Sequence, residues 1–330
     1  MKRKMKSLLL IPGVDKPVSE LALGTVWFNF RDKERIFELL DEFVAWGGTT
    51  LDTARGYGES EDVIGLWMES RGNREKIFIL TKGGLSKENP VCLEEKKFRE
   101  KVKEDITLSL QALRTDYIDL WLLHRDSPAV PVQEVIECLN DELERGRIRA
   151  FGGSNWKPSR VDEANEYAER HGLKGFVAVS NNLSLAVPTG PFYPGLVSVD
   201  KEGERWHIRT RIPLFSWSSQ ARGFFTGRYS PDMRDTSHLD EFQARMVRVY
   251  CTQENFERLR RAKELGERKG GYSAMQIALA WVLHKPFPVI PIVGPRTEEE
   301  LGSCVEALSI ELNEWESKWL NLEVDGDAFL

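Results

Sequence analysis

The stretch YIDLWLLH, residues 117–124, decides the fold. It is almost wholly apolar, interrupted only by Asp119 and the closing His124. A strand that covers a core with one face alternates apolar and polar residues. A continuous apolar strand is buried on both faces, as in a parallel sheet with helices packed outside it. On either side of this stretch lie helix-like segments. Residues 94–114 carry Phe98, Val102, Ile106, Leu110 and Leu113 on one stripe, and VQEVIECLNDELERG (132–146) follows. The same alternation extends in both directions. Strand-like runs are LALGT (21–25), TTLDT (49–53), KIFILTK (76–82), IRAFGGSN (148–155), GFVAVS (175–180), IPLFSW (212–217) and PVIPIVG (288–294). With 117–124 they make eight.

Eight strands with helices between them, and no break in composition, predict one α/β domain over residues 1–330, a closed (β/α)8 barrel. An open doubly wound sheet would favour a G-x-G-x-x-G turn after the first strand, and LGTVWFNF lacks one. Two segments exceed the repeat. Residues 181–211 read as a long loop rich in proline, glycine and aromatics, and 224–270 include the charged helix ENFERLRRAKELGERKG. Long loops in a compact domain are usually functional or disordered.

Composition narrows the class. The chain is 41% hydrophobic and 30% charged, with a net charge of −6, a balance that suits a globular protein and argues against nucleic acid. The basic start MKRKMK precedes only SLLLI, too short for a signal-peptide core, and reads as a solvated terminus. No run approaches a membrane span. The four cysteines (Cys92, Cys138, Cys251, Cys304) and five histidines are dispersed. Free thiols, no metal site and a cytoplasmic location are therefore expected.

Barrel chemistry gathers where strands end. Those ends present Gly24 and Thr25, Asp52, Lys82, His124, Ser154 with Asn155, Ser180, Trp217, and Gly294 with Arg296. Any one of these has an ordinary explanation as a cap, a turn or a hydrogen-bonded core residue; their convergence on one rim gives them weight. Asp52 and Lys82 on neighbouring strands would form a buried ion pair. The tight loop of LDTARGYGES (51–60) would bring Tyr57 over it. A nearby cation is expected to lower a phenol's pKa from about 10, and His124 to hydrogen-bond at the same oxygen position. With no strong nucleophile or metal cluster in view, the reading is proton transfer coupled to something a cofactor brings.

These residues resemble the aldo-keto reductases, in chain order and over essentially the whole sequence. LDTARGYGESE is similar to that family's Asp–Tyr signature, LTKGG carries the lysine and LWLLHRD the histidine. The resemblance implies NADPH (NADH being possible) as cofactor and reduction of a small-molecule carbonyl, with Tyr57 as acid and Asp52, Lys82 and His124 around it. It implies further that Ser154 and Asn155 hold the carboxamide and Trp217 stacks on the nicotinamide. Ser218, Gln220 and Arg222 would border the pyrophosphate, and Arg296 would meet the 2′-phosphate. Three positions depart from the family pattern: Ser180 for a glutamine, Cys304 for an asparagine, and Glu300 for a glutamine. T-x-x-E at 297–300 is also a capping box. Trp27, Phe28, Trp156 and Trp206 are candidates to line the substrate pocket. Two alternatives stand beside the reductase: a cofactor-holding sensor of the potassium-channel β-subunit kind, and a sugar or polyol dehydrogenase running in the oxidative direction. Oligomeric state is not legible.

Overall fold

A computed structural model of the chain describes residues 4–85, 95–233, 237 and 239–326. Cys92 and residue 94, at which the expected 94–114 helix begins, lie outside these, as do residues 1–3.

An antiparallel hairpin opens the chain, β1 (Ser7–Leu10) and β2 (Pro17–Ser19). Eight strands then close on themselves: β3 (Ala22–Gly24), β4 (Thr50–Asp52), β5 (Phe78–Gly83), β6 (Ile118–Leu123), β7 (Ile148–Ser154), β8 (Val179–Ser180), β9 (Leu214–Ser216) and β10 (Val289–Val293). Every neighbouring pair is parallel, and β10 returns to β3. The expected barrel is borne out. Its helices are α1 (Lys33–Ala45), α2 (Ser60–Arg71), α3 (Glu95–Leu113), α4 (Val132–Glu144), α5 (Pro158–Arg170), α6 (Lys201–Thr210), α7 (Glu241–Tyr250), α8 (Gln253–Arg268), α9 (Ala274–Leu283), α10 (Glu298–Ala307) and α11 (Glu314–Leu320).

Strand alternation divides the apolar residues between two cores. Phe78, Leu80, Leu120, Leu122, Ala150, Ala178, Phe215, Ile290 and Ile292 fill the barrel interior. Ile79, Trp121, Leu123, Phe151 and Val179 face outward and pack among the helices. The interior residues share parity with Lys82, His124, Ser154, Ser180 and Trp217, so each site residue is the next step up an inward-facing row. Glycines let layers approach: a Cβ on Gly65 of α2 would lie 2.1 Å from the carbonyl oxygen of Ala112 in α3.

Two expectations are corrected here. The basic start is not wholly solvated: among its described residues Lys4 and Lys6 are exposed, but Met5 is buried and donates its N–H to the Trp46 carbonyl, and the hairpin that follows sends Ile11, Val14 and Val18 to stopper the lower end of the barrel interior. The 181–211 segment is not all loop. Asp200 accepts the Gly203 N–H and caps α6. Asp119, the one acid within the decisive strand, clasps the barrel's lower end. Its carboxylate accepts from the Ile79 N–H at 2.8 Å and pairs with Arg74 at 2.9 Å and Lys16 at 3.1 Å.

Candidate active site

The upper rim gathers the four residues expected to do the chemistry. Asp52 ends β4, and Lys82 lies two residues beyond Leu80, its register partner on β5. Lys82 Nζ donates to Asp52 Oδ1 at 2.6 Å and to the Thr53 carbonyl at 2.9 Å, with both side chains essentially sealed from solvent. Mutual attraction keeps two such charges inside, where either alone would be costly. The loop above is tight for identifiable reasons. The Tyr57 N–H donates to Ala54 at 2.9 Å, Gly58 takes φ +59°, and Arg55 pairs at 2.5 Å with buried Glu61, which also accepts from Thr81 at 2.6 Å. Tyr57 is thereby held with Lys82 Nζ 5.2 Å from its ring centroid and the His124 ring edge-on at 5.7 Å.

Electrostatics follow from this packing. Burial pushes the Tyr57 phenol up, and the opposing pull of Lys82 does not overcome it. This corrects the expectation of a lowered value, because a sequence shows the cation but not the desolvation. The phenol stays a proton donor across the neutral range. Burial pulls Lys82 down, but Asp52 and Tyr57 outweigh it and leave the ammonium above its usual value. Asp52 is raised by burial against the pull of Lys82. His124 falls to about 3 through burial and the nearby charges of Lys82 and Arg125, so it is a neutral imidazole. Its buried Nδ1 has no protein partner.

Of the residues expected around a cofactor, some are committed to the fold. Thr25 Oγ1 bonds the Asp52 carbonyl at 2.9 Å and Ser60 at 2.6 Å, fully buried. A Cβ on Gly24 would meet Ile292 Cγ2 at 2.9 Å. Asn155, at φ +60°, donates to the His124 carbonyl and to Ser154 Oγ, both at 3.1 Å, and accepts from the Val197 N–H at 3.1 Å. It is a tie between β6, β7 and the following loop. Ser154 in turn donates to the Ser180 carbonyl at 2.9 Å. Others are available. Ser180 Oγ is fully buried on the inward row without a partner, so the rim fits a carboxamide at that point. Trp217 is half-buried, fixed by its Nε1 donating to the Ser180 carbonyl at 3.1 Å. Beyond it Ser218, Ala221 and Arg222 are left-handed (φ +51°, +48°, +53°), and the Cys304 thiol meets Gln220 Oε1 at 3.8 Å. Gly294, Arg296 and Glu300 stand exposed before and within α10. Thr297 Oγ1 accepts the Glu300 N–H, whereas the Glu300 carboxylate takes the Arg296 N–H at 2.6 Å rather than that of Thr297. The capping box is therefore half formed.

The aromatic pocket needs revision. Trp27 is half-buried with an unpartnered Nε1 and meets Phe28 edge-on at 4.9 Å. Phe28, Trp156 and Trp206 belong to the outer core between barrel and helices. Trp206 lies on α6 and donates to Asp162 of α5 at 2.8 Å. Residues passed over by sequence reasoning lie nearer the site: Arg125 next to His124, and Tyr193 beside Arg222, whose guanidinium also meets Phe192 and Tyr250 where they enter the outer core. The charged RD immediately after LWLLH was the only signal available. No group of three His, Cys, Asp or Glu among the described residues could hold a metal ion, and no helix among them is long and apolar enough to cross a membrane.

The family model described as "Aldo/keto reductase family" matches residues 20–320. The chain belongs to the aldo/keto reductase family. Among curated relatives, this aldo/keto reductase is 33% identical to norsolorinic acid reductase stcV of Emericella nidulans, over 91% of its own length and 76% of the relative's. It is 28% identical to an aryl-alcohol dehydrogenase [NADP(+)] of Phanerodontia chrysosporium (94% and 84%) and 26% identical to aldo-keto reductase YhdN of Bacillus subtilis (90% and 86%). Membership makes it an oxidoreductase of a family that uses nicotinamide cofactors.

Proposed function

We propose that this aldo/keto reductase reduces an aldehyde, ketone or sugar carbonyl to the alcohol, using NADPH, with Tyr57 as general acid. When bound, the cofactor supplies the hydride; the chain supplies a proton and a place for developing negative charge. The observation that carries the reading is the sealed Lys82–Asp52 pair against a protonated Tyr57. As the carbonyl oxygen gains charge it takes the phenolic proton, and the Lys82 ammonium stabilises the phenolate left behind. Neutral His124 offers hydrogen bonding without competing as an acid. Asp52 holds Lys82 in position.

The unpartnered Ser180 hydroxyl and Trp217 would hold the nicotinamide end, with Ser218 and Gln220 toward the phosphates and Arg296 toward the 2′-phosphate. The relative named for NADP(+) supports that choice over NAD. Its name also supports the oxidative direction, since an acid–base site serves both. Among the described residues Cys138, Cys251 and Cys304 carry free thiols, which suits a cytoplasmic setting.

The test is loss of NADPH absorbance with a panel of aldehydes and ketones, run beside Tyr57→Phe. Turnover should fall by roughly 10²–10⁴-fold, with NADPH affinity held within about threefold. Parallel loss of both in a folded variant would make Tyr57 structural and refute the assignment.

A further inference from the structure

Two arginines at the mouth are not explained by carbonyl reduction. Arg125 follows His124 at the end of β6, and its guanidinium reaches across to donate to the Pro194 carbonyl. Arg222 lies 4.2 Å over the Phe192 ring and 5.9 Å over Trp217. The two therefore meet the same short stretch, Phe192–Tyr193–Pro194. Each keeps a buried Nε with no partner. Both are close enough for their charge to bear on Tyr57; Arg222 also hydrogen-bonds Tyr250, and among the described residues no carboxylate forms an ion pair with either one. Neighbouring arginines are neutralised: Arg245 by Glu241 at 2.7 Å, and Arg160 by Asp126 at 3.4 Å. Within the site, Lys82 and Asp52 cancel. Among the described residues the mouth therefore carries two positive charges without a carboxylate partner, in a protein whose net charge is −6.

A guanidinium cannot shed its proton to escape burial, and it presents a fork that matches planar or tetrahedral oxyanions. We infer that the substrate bears an anionic group, a carboxylate or phosphate ester, held at the mouth by Arg125 and Arg222 while its carbonyl meets Tyr57. This rests on the reading of the site as a carbonyl site and narrows its substrate class. It also moves Arg222 from the cofactor's phosphates to the substrate's side, because its guanidinium covers Phe192 and approaches Trp217.

The experiment is isothermal titration of NADP+-saturated protein with benzoate, phenyl phosphate and neutral benzamide. At least one anion should bind tenfold or more tighter than benzamide. Arg125→Gln and Arg222→Gln should each cut that preference about tenfold, and Arg125→Lys should restore only part of it, since charge is kept but the fork is lost. The anion that leads identifies the headgroup. Equal binding of all three, no binding of either anion at millimolar concentration, or a preference that survives both glutamine variants would overturn the inference. So would a fall in NADP+ affinity for Arg222→Gln with the anion preference intact, which would return that arginine to the pyrophosphate. A merely structural arginine would weaken anion and benzamide alike, again against the inference. Turnover of 4-carboxybenzaldehyde, which carries both a carbonyl and an anionic group, is measured separately. Its absence alongside anion preference would sink the reductase reading and leave the anion site standing.

Discussion

Lys82→Met tests the electrostatic account most directly. The ammonium is 5.2 Å from the Tyr57 ring centroid. At an effective dielectric of about 20, a unit charge at that distance is worth about 3 kcal/mol to the phenolate formed as the proton leaves. Its loss should slow proton transfer about a hundredfold. Methionine fills a similar volume, so packing should survive, but Asp52 would lose the cation now 2.6 Å away. A buried carboxylate deprived of its partner costs about 3–5 kcal/mol if it stays charged, so the variant should bind a proton there. Its folded pKa, already raised by burial, would rise further above that of the unfolded chain. A carboxyl so raised contributes stability that is complete below an unfolded value of about 4 and is lost as pH climbs through the folded value. The variant should thus lose stability relative to wild type above about pH 4. The assays are single-turnover NADPH oxidation and urea unfolding across pH, with cofactor affinity as control. A rate within about threefold of wild type, at unchanged affinity, would refute the reasoning.

Two further outcomes follow from the packing. His124 sits at about 3 against an ordinary 6.5. A base so depressed contributes stability that is present above 6.5 and lost as pH falls toward 3, on the order of a few kcal/mol. His124→Asn should flatten the acid limb of a stability–pH curve, and an unchanged limb would exclude a buried neutral imidazole. Gly65→Ala would set a methyl 2.1 Å from the Ala112 carbonyl oxygen. About 1–3 kcal/mol of strain should outweigh the roughly 1 kcal/mol gained in helix propensity, and a urea midpoint at or above wild type would contradict the close α2–α3 contact.

The barrel was legible because burial on both faces leaves continuous apolar runs such as Ile118–Leu123, and the rim followed from where those runs ended. What stayed hidden depended on contacts. The β1–β2 hairpin leaves little mark on the sequence because SLLLI is short, and nothing in it announces that Ile11, Val14 and Val18 meet the interior of a distant sheet. Helix α6 was read as loop because Trp206 and Ile208 are almost its only apolar residues; the usable sign was Asp200 three residues ahead of Gly203. Phe28 and Trp156 are pocket candidates by proximity to strand ends and Trp206 by its place in the long 181–211 segment, whereas aromaticity says nothing about which side of the barrel wall a ring faces. The direction of the Tyr57 shift was missed for a related reason: charge partners can be read from strand order, but desolvation requires the neighbours themselves.

The hairpin stopper has an implication for how this molecule can change. The Ile11–Val18 plug and the Asp119 clasp close one end of the barrel, while Tyr57, Lys82 and the mouth arginines occupy the other. Substitutions far apart, without shared partners, add nearly independently. Cohesion and selectivity are therefore separate inheritances in this chain. Drift in the mouth loops can retune what is recognised without loosening the base, and thermostabilising changes at the base can be made blind to the substrate.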